Sequence, residues 1–70
     1  MTDSERAAAL ALEPCCFAPG ALAKRFVRDM ARRARQDPET ALSDAQAAYL
    51  RRCVVRYRRQ VPAAVVAALG

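Results

Sequence analysis

Arginines stand at 51, 52, 56, 58 and 59 in the stretch RRCVVRYRR, interleaved with Cys53, Val54, Val55 and Tyr57. A second set, Arg25, Arg28, Arg32 and Arg35, recurs every three or four residues upstream. Guanidinium groups make paired hydrogen bonds to phosphate oxygens and keep their charge throughout the physiological pH range. Rows of them can neutralise a nucleic-acid backbone, releasing counterions and giving affinity without sequence reading. Tyr49 and Tyr57 lie among the arginines, and a ring beside a guanidinium can stack on an unpaired base. Tyr49 is the ring expected at the surface; Tyr57 is expected in the core with its hydroxyl at the edge. The candidate set for binding nucleic acid or another anion is therefore Arg25, Arg28, Arg32, Arg35, Arg52, Arg56, Arg59 and Tyr49. The plain alternative is a solvated helix face, which charge runs usually form. Arginine outnumbers lysine eleven to one. Codon bias in a GC-rich genome accounts for that ratio as readily as phosphate chemistry does.

Other chemistry has little to stand on. The chain contains no histidine, so the usual general base, the orienting member of a triad and the commonest metal ligand are missing. No glycine loop that cradles phosphate and no paired-carboxylate constellation is present, and no enzyme, cofactor or metal site is expected. The three cysteines are Cys15, Cys16 and Cys53. Neighbours in sequence make a strained bridge, and three thiols without a fourth ligand are a weak zinc set. Reduced thiols in a cytoplasmic protein are expected instead.

The arginines must be carried by helices. Seventy residues make one domain at most, with a small core. Thr2 and Glu5 form the spacing of a capping box that opens a helix over 3–12. Its large apolar groups are only Leu10 and Leu12, so it is expected to add little to the core and to fray. Pro14, Pro19 and Gly20 break the pattern after it, and Phe17 is the apolar anchor of that connection. A second helix is predicted over 21–36, with Leu22, Phe26, Met30 and Arg33 on one row and Ala23, Val27, Met30 and Ala34 on the adjoining one. Asp37-Pro38 stops it. Ser43 and Gln46 form a second capping box, opening a helix over 44–60 in which Gln46, Leu50, Cys53, Val54, Tyr57 and Val61 share a face. Arg52, Arg56 and Arg59 run beside that face. Pro62 either starts a short helix over 62–69 or kinks a continuous one, and Gly70 ends the chain. Val61, Val65, Val66 and Leu69 either close the bundle or form a self-complementary homodimer face through 61–69.

These readings give an all-α fold, a three- to four-helix bundle built on an antiparallel hairpin of the 21–36 and 44–60 helices. Residues 1–20 form a short helix and its connection, and residues 21–70 form the core domain. No apolar run reaches the roughly 18–20 residues that span a bilayer, and the MTDSER start is acidic rather than signal-like, so no membrane partner is expected. Residues 1–20 sum to −2 and residues 21–70 to +7. A basic segment behind an acidic head points to an anionic partner, either nucleic acid or an acidic protein. A helix-turn-helix is a poor match, because PAAVVAALG after the third helix offers no polar readers.

The run LSDAQAAYLRRCVVRYRRQVP resembles a pattern of small bacterial and phage or prophage proteins. It is carried by Leu42, Ser43, Gln46, Leu50, Arg56, Tyr57, Arg58, Arg59 and Gln60, with KRFVRDM resembling the preceding helix. Together these cover about half of the chain. Such pieces also look like helical appendages of DNA-processing proteins. The resemblance implies a phage-like or accessory context and no catalytic residue. The expected function is a small basic binding protein that contacts nucleic-acid backbone. The alternative is a phage-type inhibitor or adaptor, for example against host defence, that docks on an acidic protein.

Overall fold

The computed structural model describes residues 1–18 and 20–69. Pro19 and Gly70, expected to break and to end the helical pattern, lie outside the described residues. The described residues form four helices: α1 (Asp3–Leu12), α2 (Leu22–Gln36), α3 (Asp44–Arg56) and α4 (Ala63–Leu69). Among the described residues there is no strand. The Cα radius of gyration is 10.8 Å, close to the roughly 11 Å of a compact chain this size. The all-α bundle is as the periodicity requires, but it is built around α1, which packs on α2, α3 and α4, rather than on an antiparallel hairpin of α2 and α3, which are not a principal packing pair. Among the described residues no helix is long and apolar enough to cross a membrane.

Both capping boxes are present. Thr2 accepts from the Glu5 backbone N–H and Glu5 accepts from that of Thr2, at 3.1 and 2.8 Å. Ser43 and Gln46 exchange the same pair at 3.1 and 3.0 Å. Each satisfies two donors that helical hydrogen bonding leaves over. At the start of α2, Ala21 offers no side-chain cap. Gly20 precedes it at φ 77°. A Cβ there would meet nothing, so backbone conformation rather than space calls for glycine.

The weight of packing falls on α1, against the expectation that it adds little. Ala8, Ala9 and Leu12 are fully buried, and α1 packs against α2, α3 and α4. Ala8 and Leu12 meet Val27, Leu50, Val54 and Val61, while Ala9 meets Met30 and Ala34. The physical reason is that a core must be filled densely rather than by large groups. Alanine lets a helix backbone come close to its neighbours, and the larger side chains of α2 and α3 supply the volume. Polar ties add to this. Arg6 Nε donates to the Ala34 carbonyl at 3.1 Å, satisfying an acceptor in the last turn of α2.

Two other expectations need correction. Leu22 was assigned to the buried stripe of α2, but it is 79% exposed. The buried row is Ala23, Val27, Met30, Ala31 and Ala34, rotated toward α1. The third helix was expected to reach residue 60, but α3 ends at Arg56. Residues 57–60 form turns, with Gln60 N–H donating to the Tyr57 carbonyl at 2.9 Å. A distant contact accounts for the early stop. Gln60 Oε1 accepts from Cys16 N–H at 2.9 Å, and its Nε2 donates to the Cys16 carbonyl at 3.4 Å. That two-way clasp ties the end of α3 to the α1–α2 connection, and Val61 then turns into the core. Phe17 anchors the same connection as expected, edge-to-face with Tyr57 at 4.7 Å. Of the two readings of Pro62, the separate short helix is the one adopted. Val65, Val66 and Leu69 are half-buried against the chain's own core.

Leu12→Ala is expected to cost about 2–5 kcal/mol, against a total of roughly 4–10 kcal/mol for a chain this long. Urea unfolding should show a lower midpoint or an unfolded chain, while Leu10→Ala, at a half-buried position, costs less. A midpoint for Leu12→Ala close to the parent's would contradict the central place of α1.

Candidate functional site

On α2, Arg25, Arg28 and Arg32 are spaced three and four residues apart and all face solvent. This spacing puts them on one side of the helix. Arg52 and Arg56 do the same on α3. The sequence leaves open whether the two rows meet. In the structure they do. One open depression is lined by Leu22, Phe26, Tyr49 and the arginines 25, 28 and 32. A neighbouring one is lined by Leu22, Tyr49, Val55, Arg52 and Arg56. Leu22 and Tyr49 belong to both, so five arginines surround one apolar strip.

The strip rests on an aromatic pair. Phe26 and Tyr49 pack edge-to-face, with ring centroids 4.6 Å apart and an interplanar angle of 70°. Both rings are half-buried. Tyr49 thus does not stand free at the surface, and it offers only part of its ring. Leu22 is the largest apolar projection beside it. Sequence reasoning did not assign Leu22 or Phe26 to this surface. Their spacing of four on α2 is the same signature that a buried stripe gives.

The electrostatics are lopsided. Asp29 is the acidic side chain in the first depression. It is held by its own helix, accepting from Arg32 at 2.8 Å and lying 3.6 Å from Arg33 Nε. Arg25, Arg28, Arg52 and Arg56 form no ion pair among the described residues. The Arg56 guanidinium carbon lies 5.9 Å from the Tyr57 ring centroid, within range of a cation–π contact. Arg59 is exposed in the turn after α3, beside Arg56 and Arg58. Arg35 drops out of the row. Its guanidinium grips the Glu13 carboxylate through two N–H groups, one of them at 2.8 Å to Oε2. An arginine paired in this way is less available to a phosphate. The seven expected arginines therefore separate into a belt of five, in which Arg32 is paired with Asp29 of its own helix, a neighbour at 59 and a cross-link between α1's end and α2 at 35.

The thiols are apart from this surface chemistry. All three cysteines are free. Cys15 donates weakly to the Ala11 and Gln60 carbonyls at 3.5 and 3.8 Å, and Cys16 is exposed. Burial pushes the Cys15 thiol above its ordinary pKa, and the neighbouring Cys16 adds to the shift. Burial also pushes Cys53 up, with Arg56 and Arg52 pulling the other way. Among the described residues, no three metal-ligating side chains cluster.

A raised thiol pKa means that the folded state holds its proton where the unfolded chain would release it. That contribution to stability is present below the unfolded value of about 8.5 and is lost as pH climbs through the raised folded value. Melting temperature under reducing conditions should therefore fall above about pH 8.5, and fall less steeply in Cys53→Ala. Identical alkaline profiles would remove Cys53 as a cause.

Comparison of the chain with protein families, with curated proteins and with solved structures gives no match.

Proposed function

We propose that this protein is a small non-enzymatic binding module whose arginine belt neutralises nucleic-acid backbone. The observation that carries the reading is the gathering of Arg25, Arg28, Arg32, Arg52 and Arg56 around one surface, with Asp29 as the acid among them. Five fixed positive charges on a face under 30 Å across displace condensed counterions when they meet phosphates, and this drives association without reading bases. The arrangement also explains why arginine suits the task. Each guanidinium offers a planar fork that matches two phosphate oxygens. Free thiols fit a reducing compartment, and the module is assigned to the cytoplasm on that ground. The resemblance of its 42–60 stretch adds a phage-type or accessory setting.

Replacing Arg52, Arg56 and Arg59 together with glutamine tests the reading. All three are exposed, so helicity and melting temperature should stay near those of the parent. Affinity for labelled DNA should fall, and the dependence of log K on log salt should lose about one unit of slope per engaged arginine. Arg35→Gln, removing a cross-link to Glu13, should leave the slope nearly unchanged. A triple variant that binds as the parent does, with the same slope, overturns the proposal. The basic face would then be a docking surface for an acidic protein.

A further inference from the structure

We infer that the belt takes a single strand rather than a duplex, with unpaired bases laid on Leu22, Phe26 and Tyr49 and phosphates held by the flanking arginines. This deepens the proposed function and rests on it. Leu22 is 79% exposed, and among the described residues the other exposed large hydrophobic is Val55, at 43%. Both line the same surface. A scattered apolar residue at a protein surface is ordinary. Here, though, the apolar atoms lie between two rows of positive charge and over a pair of aromatic rings.

A duplex makes poor use of that arrangement. Its bases are stacked inside, and it offers phosphate and sugar to a convex helical surface. Leu22 would face charged backbone, and the apolar strip would stay wet or be covered by unmatched polar groups. The arginine, lysine and glutamine at the exposed positions of α2 have the chemistry to read base edges in a groove, but the apolar strip at Leu22 would then have no unpaired base to cover. A single strand matches both parts at once. Its bases have apolar faces to cover the strip, and its backbone can bend to reach either flank. Along α2, Arg25, Arg28 and Arg32 are roughly 4.5 and 6 Å apart by helical rise, a scale on which neighbouring phosphates of an open strand can be met.

An acidic amphipathic helix would also meet positive flanks. Such a ligand needs a groove that takes several anchors one or two turns apart. The strip is one projecting leucine and the outer parts of two rings that are packed edge-to-face on each other. A base needs only an apolar surface on which to lay one face, and Leu22 beside the Phe26–Tyr49 pair offers that.

The test uses the full chain under reducing conditions, at low salt, with fluorescence anisotropy. The probes are a labelled thymidine oligomer and a hairpin duplex of equal phosphate count. Tighter binding of the oligomer is expected. Leu22→Ser should weaken the oligomer by fivefold or more, in the range of losing one stacked base, and leave the duplex within twofold. Leu22→Phe should tighten the oligomer. Position 22 is exposed, so both variants should keep the parent's melting temperature. Duplex binding as tight as the oligomer, or equal loss on both probes from Leu22→Ser, overturns the single-strand assignment while leaving phosphate neutralisation standing. Failure of both probes to bind overturns the two together. A glutamate-rich amphipathic peptide that binds in preference to both probes overturns the assignment in favour of a protein partner.

Discussion

The close fit of α1 against the other three helices is the constraint on which the rest of this structure depends. Ala8 and Ala9 carry one methyl group each, and both are fully buried. They let α1 lie against α2, α3 and α4 at once, so that Leu12 reaches the middle of the core. A larger side chain at either position would force the helices apart, and overpacking a core costs about 1–3 kcal/mol. That is a large fraction of what a chain this short has to lose. Because α1 claims the Ala23, Val27, Met30 and Ala34 face of α2, the opposite face is fixed toward solvent. The rotation of α2, and with it the direction of Arg25, Arg28 and Arg32, follows from the packing of alanines.

The same rotation brings the Phe26 ring of α2 against the Tyr49 ring of α3. Rings that meet edge-to-face hold a defined geometry, and here they set the floor between the arginine rows. Charge is then segregated by pairing as well as by position. Glu13 takes up Arg35 across the α1–α2 connection, and Asp29 takes up Arg32 and Arg33 within α2. Exposed pairs of this kind contribute little to stability. Their larger effect is to leave four belt arginines without a protein carboxylate, and repulsion among these favours an incoming polyanion.

Local features of this fold are legible in the sequence, and distant ones are not. Thr2 with Glu5, and Ser43 with Gln46, announce helix starts because a capping box is closed within four residues. The inward turn of Cys53 and Val54 follows from helical period. By contrast, the end of α3 depends on Gln60 meeting Cys16 from 44 residues away. The loss of Arg35 from the row depends on Glu13, 22 residues away. Leu22 is the instructive case. Its spacing to Phe26 satisfies the rule for a buried stripe, yet the buried row runs through Ala23, Val27, Met30 and Ala34, and Leu22 lies to one side of it. Alanine misleads in the other direction. A run of small residues reads as a weak helix with nothing to bury, when small size is what allows the close approach. Whether two arginine rows share a face is a question about rotation, and rotation is settled by such packing rather than by any pattern within the rows.

The salt dependence of binding by the unaltered protein tests the central claim most directly. The claim is that the gathered arginines act together on phosphates. For a single-stranded DNA oligomer, each neutralised phosphate contributes about −0.7 to the slope of log K against log salt. Between three and five engaged arginines should give a slope of roughly −2 to −3.5, with binding strongest at low salt. A slope near zero, or no binding at low salt, would contradict the account and leave the belt as a solvated or protein-facing surface.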